Sequence, residues 1–264
     1  MVKEEFASLI ENKSYVFPEM FNQMGQMKGN NFLAVIHMDG NNMGQMFKEC
    51  KDLVEYRKLA IFTENITETA FKNTVKRVIE LCDEEILTEE MGFKLKHGKQ
   101  NHLIPLIPLV LGGDEVTLIC HGFLGMYLAE FLLEEWVHLA SDMKLSACAG
   151  VAIMPTTYPI YRGYAMAEQL CANAKKMARQ NNNTSWLDFY LPIGELHGDL
   201  NKLREKHRFT RGLNLNFGPY YLARGEKNIN IYKDRNIKSL KEGVNYFNTN
   251  WPRSKCKELR TAIS

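Results

Sequence analysis

The apolar positions change period several times along the chain, and each change marks an element. Phe32 to Met38 is a nearly unbroken apolar run, read as a buried strand that closes on Asp39 and the turn Gly40-Asn41-Asn42-Met43-Gly44. Before it, Phe6, Leu9 and Ile10, then Tyr15 to Met24, predict one or two small helices over an edge of the core, and Gly29-Asn30-Asn31 is a turn signal. After Gly44, Phe62, Ile66, Ala70, Thr74, Val78 and Leu81 recur at helical spacing, with Glu64, Lys72, Lys76 and Arg77 on the outer faces. Glu84 to Gln100 is polar and irregular, a surface loop or short insertion. His102 to Leu111 is apolar but carries Pro105 and Pro108, which suits an edge or bulged strand. It runs into Gly112-Gly113-Asp114-Glu115 and out through Val116 to Cys120, a β-hairpin with its charges at the tip. Leu124, Leu128, Leu132, Trp136 and Leu139 mark a helix, and Ser146 to Met154 a buried central strand whose Gly150 implies a close neighbour. Ile160 to Arg179 is a helix with Tyr164, Ala167, Cys171 and Ala174 inward; Trp186 to Leu191 is a short strand.

The order is β-α-β-β-α-β, then helix and strand. This is an α+β class chain with the ferredoxin-like, split βαβ order of a palm or nucleotidyl cyclase fold. In that order the first and third strands lie side by side, so Asp39 comes beside Asp114 and Glu115 although they are far apart in sequence. Residues 1–200 read as this domain and residues 201–264 as a basic C-terminal appendage. In the appendage Asn214 to Leu222 is strand-like, and Asn236 to Asn248 and Ser254 to Ile263 are amphipathic helices separated by Trp251-Pro252.

The bulk properties narrow the partners only slightly. Of the 264 residues 45% are hydrophobic, which allows a sizeable core, and a net charge of +2 demands no polyanion. The charge is uneven, however. Lys202, Arg204, Lys206, Arg208, Arg211, Lys233, Arg235, Lys238, Lys241, Arg253, Lys255, Lys257 and Arg260 meet few acids. They form either a solvated helical face or a surface for RNA, DNA or an acidic partner. The six cysteines show neither a CxxC pair nor zinc spacing, and several lie in apolar runs, which suits a reducing cytoplasm. Neither a signal peptide nor a long apolar span is present, so membrane and secretory readings are poor.

Three acids around one or two Mg²⁺ or Mn²⁺ ions suit nucleotidyl transfer, in which metal lowers the pKa of an attacking ribose hydroxyl and neutralises a triphosphate. Backbone N–H groups of the turn holding Gly40, Asn41, Asn42 and Gly44 can meet phosphate oxygens, and Gly112 and Gly113 allow close approach. Lys175 and Arg179, four apart, can reach a triphosphate; the alternative is a pair of exposed helix charges. His37 shares a strand face with Asp39, but a core histidine is the favoured reading, as for His121. Asn42 alternatively only holds the turn, and Tyr220-Tyr221 reads as core, with base stacking as the other use. Everything requires Asp39 within shared-cation reach of the hairpin acids, with no basic side chain filling the gap.

Asp39-Gly-Asn-Asn-Met-Gly44 together with Leu111-Gly-Gly-Asp-Glu115 resembles the catalytic palm of the large polymerase-like subunit of type III CRISPR complexes, and more distantly GGDEF-type cyclases. Ser146 to Ala152, Ala174-Lys175-Lys176, Trp186-Leu-Asp-Phe189, Pro252-Arg-Ser-Lys255 and Leu259-Arg260 also fit, and the likeness spans Phe32 to Leu191. It implies synthesis of cyclic oligonucleotides, typically from ATP, as second messengers in antiviral defence. It makes Asp39 a metal ligand, Asp114 and Glu115 metal ligands or activators of the hydroxyl, and Lys175 a phosphate contact. Asn41 stands where many relatives have a second Asp, Glu115 where CRISPR palms usually have Asp, and Val116 where GGDEF cyclases have Phe. A lone palm implies a homodimer or a second palm as partner, and the basic tail a contact with RNA, DNA or a CRISPR complex. The alternative is a non-catalytic nucleotide-binding palm that serves as a structural subunit of a larger complex.

Overall fold

The computed structural model of the protein describes the chain apart from residues 1–3, 11–13, 28, 30, 90, 96–100, 192–198, 211–212, 215, 223–231 and 264. The elements run α1 (Glu4–Ala7), β1 (Tyr15–Val16), β2 (Phe32–Gly40), α2 (Met43–Glu49), α3 (Leu53–Asp83), β3 (His102–Leu103), β4 (Leu106–Gly112) and β5 (Glu115–His121). There follow α4 (Gly125–Leu139), β6 (Ala147–Pro155), α5 (Ile160–Gln180), β7 (Trp186–Tyr190), α6 (Leu200–Arg208), β8 (Phe209–Thr210), β9 (Leu213–Asn214), β10 (Tyr220–Tyr221), α7 (Ile237–Asn250) and α8 (Arg253–Ile263).

Six strands form one mixed sheet in the order β10-β7-β6-β2-β5-β4. β2 lies between β5 and β6, antiparallel to both, and β6–β7 is the parallel pair. Alternation along β2 divides the core. Ala34, Ile36 and Met38 face α3 and α4, packing with Phe71, Val75, Leu128 and Trp136, whereas Leu33 and Val35 pack with Met166, Ala167 and Leu170 of α5. The same alternation sends His37 and Asp39 to the α5 side. That helix lies very close to the sheet: a Cβ on Gly150 would stand 2.1 Å from the carbonyl oxygen of Ala167.

Several expectations change in detail. α3 begins at Leu53, nine residues before the helical period becomes visible, because the Asp52 carboxylate caps the N–H groups of Val54 and Glu55. The stretch after α3 is not wholly superficial: Leu87 and Phe93 are buried, and Lys94 N–H donates to Gly25 O at 2.9 Å. β4 is an edge strand with a register shift between Pro108 and Val110. The N-terminal segment contributes a short strand as well as helix, and Tyr15 Oη donates to Asp83 Oδ1 at 2.6 Å. Of the strand-like stretch Asn214 to Leu222, Asn214 closes β9 and Tyr220–Tyr221 form β10, added at the sheet edge beside β7, while residue 215 lies outside the described residues. Arg211, among the basic tail residues, lies outside the described residues. Among the described residues, no helix is long and apolar enough to cross a membrane.

His121 closes β5 in full burial, its ring tilted against Phe93 with ring centroids 4.1 Å apart. Its Nδ1 accepts the Phe123 N–H, while Nε2 is buried and, among the described residues, has no hydrogen-bond partner. Burial lowers its pKa to about 4, so the fold keeps the ring neutral. The unfolded chain binds this proton near its ordinary pKa. Stability is therefore complete above about pH 6.5 and is lost as pH falls from there towards 4, by about 3 kcal/mol for this residue. Urea unfolding between pH 7.5 and 4.5 checks it. His121→Phe should remove that part of the acid slope; an unchanged slope would assign the loss elsewhere.

Candidate functional site

The site forms where β2 ends and the β4–β5 hairpin turns. Asp39 is the register partner of Glu115 on β5 and of Cys148 on β6. The Gly40 N–H donates to Asp114 O at 3.2 Å, which ties the strand end to the hairpin tip. Gly113, with φ +58°, supplies the left-handed corner. The Asp114 side chain lies directly on Gly40: a Cβ there would meet its Oδ2 at 2.8 Å. Glycine at position 40 is thus what lets Asp114 approach Asp39.

That approach has an electrostatic consequence. Burial, then the hydrogen bond and charge of Asp39, push the Asp114 carboxyl up to about 6. Two carboxyl groups share a small, half-buried space, and negative charge accumulates there as both ionise. Lys175, from α5, answers part of it. Its Nζ donates to Asp39 Oδ2 at 2.6 Å and to Gly40 O at 2.7 Å. A basic side chain therefore does enter the site, but from the helix side, and among the described residues its ion pair is with Asp39 rather than with Asp114 or Glu115.

Glu115 is occupied differently. Thr117 Oγ1 donates to Glu115 Oε1 at 3.3 Å, His37 Nδ1 stands 3.5 Å from the same oxygen, and His37 Nδ1 meets Thr117 Oγ1 at 2.9 Å. Tyr164 of α5 packs edge-on against His37, and burial beside the charges of Glu115 and Glu168 raises its phenol pKa. The expected ring of three acids is thus two plus one: Asp39 and Asp114 converge, and Glu115 turns one register step down the strand to donors already there. Among the described residues, no set of three or more His, Cys, Asp or Glu side chains is gathered as a metal-holding cluster.

The remaining expected residues divide. The buried Asn41 fastens the turn to the sheet. Its N–H donates to Ser146 O at 2.8 Å, and its Nδ2 donates to Ser146 Oγ at 2.9 Å and to Thr184 O at 3.2 Å. Asn42, in the left-handed region, precedes α2 without a side-chain cap. Asn42, Gly44, Gly112 and Gly113 are exposed around the acids. Arg179 is exposed one helical turn beyond Lys175 and, among the described residues, has no ion pair to the acids.

Sequence reasoning missed Thr117, Glu168 and the use made of Tyr164. The signal was present: His37 and Asp39 on β2, opposite Thr117 and Glu115 on β5, put four polar residues together on one otherwise apolar face. Tyr164, Glu168 and Lys175, spaced four and seven apart, repeat the pattern on α5.

Comparison with known proteins follows the same region. The family model of the Cas10/Cmr2 second palm domain matches residues 32–184, more than half of the chain. No curated protein matches. Among solved structures, the Csm1-Csm4 subcomplex of the type III-A CRISPR-Csm interference complex aligns at 15% identity and TM-score 0.45, over 64% of this chain and 21% of that one. The Csm1-Csm4 cassette in complex with cA3 aligns at 13% identity and TM-score 0.44, covering 64% and 22%. The cassette in complex with cA4 aligns at 12% and 0.41, covering 82% and 29%. The chain thus spans between a fifth and a third of the length of these matched chains. From the family match over β2 to the end of α5 and beyond, the chain belongs to the Cas10/Cmr2 second palm domain family.

Proposed function

We propose that the protein is a metal-dependent nucleotidyltransferase that makes cyclic nucleotides or oligonucleotides from ATP or another nucleoside triphosphate, as messengers in CRISPR-linked antiviral defence. One observation carries the reading: Asp39 and Asp114, 75 positions apart in sequence, meet at one sheet end in a chain of the Cas10 palm family. We read the sheet order around β2 as the split βαβ arrangement of a palm, with the segment after residue 200 as its appendage.

The donor set fits a hard divalent cation, since its groups are carboxylate oxygens whose mutual repulsion such an ion relieves. Asp39 and Asp114 would hold Mg²⁺ or Mn²⁺. The ion would supply a lowered pKa for the attacking ribose hydroxyl and charge neutralisation of the triphosphate. The chain's own groups do the rest. Glu115, oriented by Thr117 and His37, accepts the hydroxyl proton as the oxygen attacks the α-phosphorus and pyrophosphate leaves. The exposed backbone around Asn42, Gly44, Gly112 and Gly113 receives the phosphates, and Arg179 sits at the rim to screen them. Closure of a ring between two nucleotides calls for a second palm, as a homodimer or a partner subunit. The basic residues of α7 and α8 are the candidate contact for nucleic acid or a CRISPR complex. The free, mostly buried cysteines suit a reducing cytoplasm.

A second reading has its own observation. Lys175 already bonds Asp39, and Glu115 is turned aside, which is what a palm that binds nucleotide without turnover would tolerate. Mass spectrometry after mixing the protein with Mn²⁺ and all four nucleoside triphosphates separates the two. New phosphodiester-linked products are expected; an unchanged pool with calorimetric binding would favour the binding palm.

A further inference from the structure

We propose that Lys175 is the resident counter-cation of the Asp39–Asp114 pair: a positioning residue that competes with a divalent ion for Asp39, and not a standing triphosphate contact. This rests on the reading above that the pair holds metal. Two of the three Nζ hydrogens are used at the end of β2, on Asp39 Oδ2 at 2.6 Å and Gly40 O at 2.7 Å. The Lys175 side chain is only 18% exposed, so it is a held group and not a solvated one.

Its origin on α5 is fixed. The helix presses on Gly150, and Cys171 Sγ donates to Cys148 O at 3.3 Å one turn earlier. An ammonium at this distance and a divalent ion on the same carboxylate would stand a few ångströms apart, where like charges repel. One ammonium balances one carboxylate; a divalent ion balances both. Entry of the ion therefore displaces Lys175 from Asp39, and its freed ammonium then faces the anionic groups that arrive with the ion. Lys175 thus links metal occupancy to phosphate contact.

The test is Mn²⁺ titration of the full chain by electron paramagnetic resonance without nucleotide. Lys175→Met should bind Mn²⁺ at least tenfold more tightly than the wild type, and Lys175→Arg, which keeps the charge, should stay near it. Equal or weaker binding by Lys175→Met would overturn the proposal and leave the metal reading intact. Failure of wild type and Lys175→Met alike to bind Mn²⁺ would overturn both. A measurement on unmutated protein covers a variant that fails to fold: the Lys175 side-chain ammonium resonance should move as Mg²⁺ is added. A resonance unmoved at saturating Mg²⁺ would also overturn the proposal.

Discussion

Asp114→Asn should raise the unfolding midpoint at pH 7 and cut nucleotide turnover about 100-fold or more. The two effects share one cause. The folded Asp114 titrates at about 6, above its ordinary 3.8, because of burial and Asp39. Folding thus favours the protonated form. The contribution of this group to stability is full below about pH 3.8, declines as pH rises through 6, and above that stays unfavourable by about 2 kcal/mol once its partial exposure to solvent is discounted. The amide removes the charge while keeping the shape, so stability at neutral pH rises by about that amount. Turnover should fall on the order of 100-fold or more, since the amide cannot share a cation with Asp39. Opposite signs in stability and activity are the mark of a group kept for function. Urea unfolding and pyrophosphate release on one preparation check both. A variant less stable than the wild type would make Asp114 a structural residue.

The largest loss of stability should follow from Arg204→Met. Arg204 and Asp188 are both buried and meet in two hydrogen bonds, at 2.9 and 2.7 Å. Asn173 Nδ2 and the Phe189 N–H complete the carboxylate, at 2.7 and 2.9 Å. Removing only the guanidinium strands a carboxylate inside the protein, which costs about 3–5 kcal/mol. The double change Asp188→Asn with Arg204→Met leaves no orphan charge and should cost less than the single one. Urea unfolding decides: a single variant within 1 kcal/mol of the wild type, as for a surface pair, would contradict the burial. The pair also ties α6 to β7 and α5, so residues past 200 take part in the structure on which the site stands.

Arg204 also shows where sequence reading stopped. In the sequence it is one more basic residue of the tail, because charge composition carries no information about depth. Leu200, Leu203 and Arg204 share one buried helix side, but the partner that makes burial tolerable, Asp188, sits within an otherwise apolar strand. The sheet was largely legible: the runs at Phe32, Val116 and Ser146 are mostly apolar and bounded by turn residues. The start of α3 was not, because Leu53, Val54 and Tyr56 are exposed apolar residues that break the helical period, and the cap at Asp52 alone marks the start. The meeting of Asp39 with Asp114 followed from strand order. The departure of Glu115 did not, because it depends on the Thr117 hydroxyl and the His37 ring standing one step along the paired strands. The direction of Lys175 was equally hidden, since spacing fixes a helix face but not which anion a flexible ammonium chooses.

The central claim, that Asp39 and Asp114 jointly support nucleotidyl transfer, is tested most directly by pyrophosphate release from ATP with Mn²⁺, measured on the wild type and on Asp39→Asn. Release by the wild type and none by the variant is the predicted result. Equal release by both, or ATP binding by the wild type with no pyrophosphate, would contradict it.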